Sequence, residues 1–250
     1  MILYFSATGN CKYVAERLAT AFDDTAVSIE KADVQVSLSE NEMLGFVTPV
    51  NWWELPVLMR EYMQKLTVKS LQTPYTYIVT TYGTTPGCTF SDAKKILKAR
   101  GIELKAGFSV RMPDNWTPIF DLSNPQKVKQ QNDEAENYID AALENIRKKK
   151  TGNQMQHKKP LAVKVFTDPF LNSERKTRNF YVEDACIGCG LCAKRCPVQA
   201  IEIKNKKPIW VKDQCALCLR CLHHCPKFAI QYGNGKTKQH GQYRNPHTKV

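Results

Sequence analysis

The chain opens with MILYFSATGNCKYVAERL at residues 1–18, where an apolar run meets a turn of small and hydroxyl residues and then a helical stretch. This pattern predicts a strand over Ile2–Phe5 and a helix over Asn10–Phe22. Hydroxyl groups and free backbone N–H groups at the start of a helix suit a single phosphate group. The same residues also suit a plain strand-to-helix turn, and the opening stretch leaves both interpretations open.

The turn SATGNCK at residues 6–12 differs from two common nucleotide-binding loops. It lacks the G-K-S/T of a Walker loop, which disfavours a nucleoside triphosphate bound with magnesium. It also lacks G-x-G-x-x-G, which disfavours a dinucleotide.

Strands and helices continue to alternate after the opening stretch. Strands that alternate with helices of about 10 to 15 residues predict an α/β fold with a doubly wound, five-stranded parallel sheet. The other strands are predicted at Ala26–Ile29, Met43–Val50, Tyr75–Thr81 and Ile102–Met112, and the next helices at Leu55–Leu66 and Phe90–Arg100.

A last amphipathic helix closes this region. Ser123 or Asn124 can cap it, and Pro125 suits its first turn. We expect a first domain over residues 1–150, a linker over 151–180, a second domain over 181–233, and a disordered basic tail over 234–250.

Eight of the ten cysteines lie between Cys186 and Cys225. CIGCGLCAKRCP at 186–197 and CALCLRCLHHCP at 215–226 both follow C-x2-C-x2-C-x3-C-P, offset by 29 residues. The pattern resembles the bacterial two-cluster ferredoxin motif, in which the fourth cysteine of each run ligates the other cluster. That resemblance implies one 4Fe–4S cluster on Cys186, Cys189, Cys192 and Cys225, and a second on Cys215, Cys218, Cys221 and Cys196.

Zinc and disulfides are the alternatives for these cysteines. Zinc sites use C-x2-C pairs, but they do not repeat four cysteines at this spacing twice. The N-terminus shows no signal-peptide pattern, so we expect a cytoplasmic protein, in which disulfides are rare. No apolar run approaches the roughly 18 residues of a membrane span.

Residues around the cysteines have predictable roles. We expect His223 and His224 to face solvent, because thiolates already fill the cluster sites, and Trp210 to be a packing residue. Apolar side chains are expected to keep water from the clusters, namely Ile187, Leu191, Ile201, Leu217, Leu222 and Ile230.

Two further loops follow the third and fourth strands, where a doubly wound sheet binds its ligands. They read TPVNWWELP at 48–56 and TTYGTTPGC at 80–88. The Trp52 and Trp53 rings can face a flavin ring or pack in the core. The segment RMPDNWTP at 111–118 can add Asn115 or Trp116 near the same place.

The opening turn resembles the flavodoxin signature S/T-x-T-G-x-T/S/N, whose loop binds the phosphate of FMN. The resemblance implies that the phosphate is held by Ser6, Thr8, Gly9, Asn10 and Cys11, and the flavin ring by Pro49, Asn51, Trp52, Trp53, Tyr82 and Gly83. Cys11 departs from the usual hydroxyl, which weakens one hydrogen bond. Its place near a helix N-terminus predicts a lowered thiol pKa.

The whole chain resembles the EFR-type ferrodoxin family, through the opening turn, MPDNW at 112–116, the first cysteine run, and KPIWVKDQCALCLRCLHHCP at 207–226. That family joins a flavodoxin-like FMN-binding domain to a small α+β ferredoxin domain with two 4Fe–4S clusters. The resemblance implies the same fold and cofactors here.

The charge is uneven along the chain. Residues 1–140 hold 14 Lys and Arg against 17 Asp and Glu, a net charge of −3. Residues 141–250 hold 22 against 7, which is +15 and brings the chain to +12. A basic half favours an acidic redox partner or nucleic acid, and ligating thiolates would lower this charge.

These features predict a protein that passes low-potential electrons between two clusters, FMN and a redox partner. One alternative is a flavin-dependent iron–sulfur reductase with a small substrate, although no clear acid–base pair is evident in the sequence. The other is an oxygen-sensing module on nucleic acid. Aromatic residues interleaved with Lys and Arg at 158–181 permit it, but a solvated linker explains them as well.

Overall fold

The structure, a computed structural model, describes residues 1–156 and 171–250. Its first part contains eight strands: β1 (Ile2–Tyr4), β2 (Ala26–Ser28), β3 (Gln35–Leu38), β4 (Leu44–Pro49), β5 (Thr67–Ser70), β6 (Thr76–Tyr82), β7 (Ala106–Arg111) and β8 (Gly152–Asn153). Six of them form one parallel sheet in the order β2-β1-β4-β6-β7-β8. Strands β3 and β5 pair in a separate small parallel sheet.

Four helices cover the two faces of the large sheet: α1 (Asn10–Phe22), α2 (Val57–Lys65), α3 (Thr89–Ala99) and α4 (Pro125–Arg147). Helices α1 and α4 bury their apolar stripes against one face, and α2 and α3 against the other. All seven residues of β6 are buried, as a central strand between two helical layers requires.

The predicted doubly wound α/β fold is confirmed, and every predicted strand and helix is present within a few residues. The first five strands of the sheet follow the flavodoxin order, in which β1 lies between β2 and β4. The sheet has six strands rather than five, because β8 adds two residues beside Ala106 and Gly107. Strands β3 and β5 have only four residues each, which is too short for alternation to reveal them, although Val36 and Leu38 of β3 are buried.

Asn124 caps α4, because its side chain accepts a hydrogen bond from the Lys127 N–H at 3.0 Å. The sequence predicts a linker directly after α4, over residues 151–180. Residues 151–156 instead complete the large sheet, and Met155 is buried in its core. The part of that linker from 157 to 170 lies outside the described residues. The predicted domain limits therefore stay predictions.

The second part is small and follows the sequence repeat. Strand β9 (Phe180–Val182) pairs with β12 (Ile230–Tyr232), and β10 (Ile201–Lys204) pairs with β11 (Lys207–Trp210), both antiparallel. Helices α5 (Leu191–Lys194) and α6 (Arg220–His223) are offset by the same 29 residues as the cysteine runs. A short helix α7 (Lys236–His240) and a 3-10 turn at Thr177–Asn179 complete this part.

The prediction of a disordered tail at 234–250 is wrong. Thr237, Tyr243 and Asn245 are buried, and Tyr243 hydrogen-bonds to the first domain. The tail is polar and basic, which is typical of disorder, but its polar groups find partners far away in the chain. Separately, none of the helices within the described ranges has the length and apolarity that a membrane crossing requires.

Candidate cofactor sites

A cavity of about 210 Å³ opens beyond the carboxyl ends of β1, β4, β6 and β7. This is the edge at which doubly wound sheets bind ligands. Ten of the eleven residues predicted for a flavin line it: Ser6, Thr8, Asn10, Cys11, Pro49, Asn51, Trp52, Trp53, Tyr82 and Gly83. The eleventh, Gly9, lies in the same turn, with a left-handed φ of 110°.

The opening turn is built like an anion site. The Gly9 N–H donates to Ser6 Oγ at 3.1 Å, and Asn115 Nδ2 donates to Thr8 Oγ1 at 2.8 Å. The first N–H groups of an α-helix have no partner inside it, and here α1 begins at Asn10. Among the described residues that line the cavity none is Lys or Arg, so an anion there would depend on N–H and hydroxyl donors.

Cys11 corrects one expectation. Its Sγ lies 3.1 Å from Thr81 Oγ1 and is buried, and burial raises the pKa of its thiol to about 12. The predicted lowering by the helix N-terminus is therefore wrong, because desolvation of a thiolate outweighs that dipole. Cys88 is also buried, at the start of α3.

The tryptophan pair lies in a tight turn between β4 and α2. Trp52 and Trp53 both have left-handed φ values, 48° and 64°, and their rings meet edge to face at 6.0 Å. The Trp53 carbonyl accepts from the Cys88 N–H at 2.7 Å, where a Cβ on Gly87 would lie 2.0 Å from the same oxygen. A glycine is thus required at this close approach, which fixes the turn beside the cavity.

The 111–118 segment completes the cavity wall. Asn115 and Trp116 line it as the sequence allows, and the Trp116 ring lies 6.1 Å from that of Trp52. Sequence reasoning missed Asp114, which also lines the cavity and accepts from the Trp116 N–H at 3.0 Å. Burial raises the pKa of the Asp114 carboxyl. Asp114 packs against Gly83, where a Cβ would lie 2.3 Å from Asp114 Cβ, and this long-range contact leaves no pattern in the sequence.

The cysteines of the second part come together across the two sequence runs. Burial raises the pKa of Cys192 to about 11, and electrostatic repulsion by Cys189 and Cys225 adds to it. In the other group, burial raises the pKa of Cys218 to about 12, and Cys215 and Cys196 contribute in the same direction. Each group thus combines cysteines of one run with the fourth cysteine of the other run. Cys189 and Cys192 lie near Cys225, and Cys215 and Cys218 lie near Cys196.

Backbone N–H groups point at several of the sulfurs. Cys196 Sγ accepts from the Ala200 N–H and Cys225 Sγ from the Ala229 N–H, both at 3.2 Å. Cys215 Sγ accepts from the Leu217 N–H at 3.3 Å. Hydrogen bonds of this kind stabilise thiolates and tune iron–sulfur potentials.

No three His, Cys, Asp or Glu side chains among the described residues are placed to hold a single metal ion. A cubane takes one thiolate on each of four irons, so its ligands stand further apart than those of one zinc ion. The thiol sets and their N–H donors fit a cluster. The buried side chains of Leu217, Leu222 and Ile230 pack beside these cysteines, where they would keep water from a cluster, as predicted. Ile187 departs from the prediction, since 58% of it is exposed.

The two cysteine runs differ in where they lie. Leu217, Cys218 and Leu219 of the second run line the same cavity as the opening turn. Cys189 of the first run is exposed at the surface. Trp210 stacks on Phe180 with ring centroids 5.1 Å apart and is a packing residue, as predicted.

The two histidines join the two parts of the protein, so the prediction that they face solvent is wrong. His223 Nε2 lies 2.9 Å from the Asn115 carbonyl oxygen, and His224 Nε2 lies 3.0 Å from that of Ala7. Burial lowers the pKa of His223 to about 4. Both side chains thus brace the second cysteine run against the loops of the cavity.

Arg220 adds an ion pair to the same contact. Its guanidinium donates to both carboxylate oxygens of Glu30, at 2.7 and 2.6 Å, and to the Ser6 carbonyl oxygen at 2.8 Å. Arg220 is buried, whereas the Glu30 side chain keeps 29% exposure, so this bidentate pair is desolvated on the arginine side only. It ties α6 to the opening turn.

Comparisons with known proteins agree with this architecture. Residues 1–142 match the family described as "Flavodoxin domain", and residues 174–232 match the one described as "4Fe-4S dicluster domain". A search among curated proteins found no match.

Two solved structures are similar at low identity. Rubredoxin oxygen:oxidoreductase from the anaerobe Desulfovibrio gigas is 13% identical with a TM-score of 0.34, covering 57% of this chain and 35% of that one. This chain thus spans about a third of that protein. A short-chain flavodoxin associated with a non-canonical PDU bacterial microcompartment is 15% identical with a TM-score of 0.34, covering 56% of this chain and 96% of that one.

The flavodoxin match covers more than half of the chain, and the second match covers both cysteine runs. Together they support electron transfer with a flavin and iron–sulfur chemistry. The chain belongs to the flavodoxin domain family, and it joins that domain to a 4Fe-4S dicluster domain.

Proposed function

We propose that the protein is an electron carrier that passes low-potential electrons between a docked redox protein, two 4Fe–4S clusters and one FMN. One observation carries the proposal. Cys218 and its neighbours Leu217 and Leu219 line the same cavity as the opening turn and the tryptophan loop. A cluster on the second cysteine run would therefore lie beside a flavin in that cavity.

The ligand sets of the proposal join the two runs. The first cluster takes Cys186, Cys189, Cys192 and Cys225, and the second takes Cys215, Cys218, Cys221 and Cys196. Electrostatic coupling of Cys192 with Cys225 and of Cys218 with Cys196 supports this exchange of the fourth cysteine. When bound, the clusters supply one-electron chemistry and FMN supplies one- or two-electron chemistry.

The chain's own residues would bind and orient these groups. The first turn of α1 presents N–H groups to the FMN phosphate, and the Ser6 and Thr8 hydroxyls lie in the same turn. The Trp52 and Trp53 rings and the Tyr82–Gly83 backbone flank the space for the isoalloxazine. Leu217 and Leu219, both buried, exclude water between the flavin space and the second cluster.

The first cluster is the proposed entry point for electrons. Cys186, Cys189, Cys192 and Cys225 line one small cavity, and at its rim Cys189 is exposed together with the apolar side chains of Ile187 and Ile203. Lys204 and Lys206 on the adjoining hairpin are exposed as well. An apolar centre with a basic rim fits an acidic redox partner protein, whose association it would steer.

Ionic strength tests this partner. We expect reduction by an acidic ferredoxin, used as the probe, to slow steeply from low to high salt, since screening weakens steering. Lys206→Glu should slow it at low salt, whereas Lys98→Glu, at the far end of α3, should not. If the reduction rate depended neither on salt nor on Lys206, the surface around Cys189 would not be the docking site.

Cofactor content tests the proposal as a whole. Anaerobic purification should give about eight iron and one FMN per chain, the content that two cubanes and one flavin require. Eight iron without flavin would leave a ferredoxin with an inactive first domain. About four iron would contradict the two-cluster assignment.

A flavin-dependent reductase acting on a small substrate is a second candidate. Asp114 favours it, because a carboxyl with a pKa raised by burial lines the cavity and can donate a proton at a flavin. Steady turnover of a small acceptor by the isolated protein, lost in Asp114→Asn with FMN retained, would support this candidate over a carrier.

A further inference from the structure

The C-terminal residues 241–250, here called the C-terminal strap, pack against the opening turn. Tyr243 and Asn245 of the strap are each only 3% exposed. The Asn245 N–H donates to the Thr8 carbonyl oxygen at 2.8 Å, and Asn245 Nδ2 donates to Asn10 Oδ1 at 3.1 Å. The strap thus contacts the backbone and a side chain of the turn proposed to hold the FMN phosphate.

Tyr243 holds the same asparagine from a second direction. Its hydroxyl lies 2.7 Å from Asn10 Oδ1 and 2.8 Å from Asn132 Oδ1 of α4. On its other side, Asn10 Nδ2 donates to the Pro113 carbonyl oxygen at 3.3 Å. Both the oxygen and the nitrogen of the Asn10 carboxamide therefore have partners at the first residue of α1, which fixes the start of that helix.

The peptide between Thr8 and Gly9 is held at both ends. Its carbonyl accepts from the strap through Asn245, and its N–H donates to Ser6 Oγ at 3.1 Å. A Cβ on Gly9 would lie 2.7 Å from Asn245 Cβ, so only a glycine allows the strap to approach this closely. With this peptide fixed, the next N–H groups, at Asn10 and Cys11, remain for a ligand.

The strap also ties the two parts of the protein together. Arg195 of the first cysteine run donates to the Val250 carbonyl oxygen at 3.0 Å. On the first domain, the His247 ring stacks on Tyr13 at 4.9 Å, and Thr248 Oγ1 donates to Glu16 at 2.7 Å. The strap is therefore anchored on both sides of the turn that it contacts.

We propose that the C-terminal strap preorganises the phosphate turn through Tyr243 and Asn245, and thereby sets the preference of the site for FMN over riboflavin. This inference rests on the proposed FMN function. A preorganised turn no longer has to be ordered when the ligand binds, so less binding free energy is lost. Only a ligand with a phosphate contacts the turn, so only FMN gains from this. Tyr243 and Asn245 are positioning residues in this proposal, since they act through the turn.

The test compares the dissociation constants of FMN and riboflavin for protein from which the flavin has been removed. Asn245→Ala loses one hydrogen bond to Asn10, and Tyr243→Phe loses another. Each variant should weaken FMN binding roughly fivefold, the size of one lost hydrogen bond. Riboflavin binding should stay unchanged, so the ratio of the FMN dissociation constant to the riboflavin dissociation constant rises about fivefold.

A matched control variant distinguishes a specific loss of FMN binding from a general loss of stability. Tyr62→Phe makes the same chemical change at a buried tyrosine whose hydroxyl donates to the Asp33 carbonyl oxygen, and it should leave the ratio unchanged. An unchanged ratio in both strap variants, or an equal weakening of FMN and riboflavin, would overturn the inference. If the unaltered protein binds neither flavin, the proposed FMN function itself fails.

Discussion

At the scale of single residues, the cavity depends on positions where only a small side chain fits. Gly83 is one of them, because a Cβ there would lie 2.3 Å from Asp114 Cβ. The Cβ atom of Asp114 is bonded directly to the backbone, so it cannot move aside as the end of a long side chain can. The contact holds Asp114 and the 111–118 segment against the loop after β6.

Gly83→Ala should therefore push Asp114 away and reshape the cavity. We expect a loss of about 1–3 kcal/mol in the free energy of unfolding, typical of overpacking, and weaker FMN binding at unchanged iron content. Thermal unfolding and flavin titration measure these two effects. Gly45→Ala, which would meet the Tyr77 ring at 2.6 Å in the core, should lower stability without selective loss of FMN. Equal FMN affinity in Gly83→Ala and the unaltered protein would contradict this role.

Cys11 gives a prediction with a defined pH dependence. Burial raises the pKa of its thiol from about 9 to about 12. The folded state therefore favours the thiol, and this stabilisation is complete below pH 9 and is lost as the pH rises toward 12. In the folded protein, alkylation of Cys11 measured by mass spectrometry should stay slow at pH 8 to 9 and become fast only on unfolding. Rapid labelling of folded protein at pH 8 would contradict the burial argument.

The sequence predicts the residues of local motifs and misses those that act over a long range. The opening turn, the tryptophan loop and the cysteine runs are contiguous patterns, so the residues that line the cavity could be named from them. Asp114, His223 and Asn245 carry no such signal, since each acts through a partner about 30 or more positions away.

At the scale of elements, α6 forms the contact between the two parts. It is a single turn in the second cysteine run, and it carries both Arg220 and His223 to the first domain. Periodicity cannot predict such an element, because four residues are too few to show a helical pattern. Its counterpart in the repeat is α5, which lies 29 residues earlier in the first cysteine run.

Arg220→Ala should loosen this contact. Removing one member of a buried ion pair costs about 3–5 kcal/mol when the other charge stays buried. Glu30 keeps partial exposure, so we expect a smaller loss, about 2 kcal/mol in the free energy of unfolding. A double-mutant cycle with Glu30→Gln, read by denaturant unfolding, isolates the pair from the bond to Ser6. Additive effects of the two changes would show that the pair does not couple α6 to the segment after β2 that carries Glu30.

At the scale of the whole molecule, the two cysteine runs have different surroundings. The exposed cysteine of the first run lies at the surface, and the second run faces the cavity. The histidines, Arg220 and the C-terminal strap hold the two parts in contact. The sequence predicts the two domains separately, but their mutual placement depends on these long-range bonds.

The most direct test of the account follows electrons within one chain. Holoprotein is mixed rapidly and anaerobically with a one-electron reductant too bulky to enter the cavity, and cluster and flavin absorbance are recorded together. The account predicts that the clusters are reduced first and that the flavin follows at a rate independent of protein concentration, as transfer inside one molecule requires. A flavin rate that rises in proportion to protein concentration, or a flavin that stays oxidised beside reduced clusters, would contradict it.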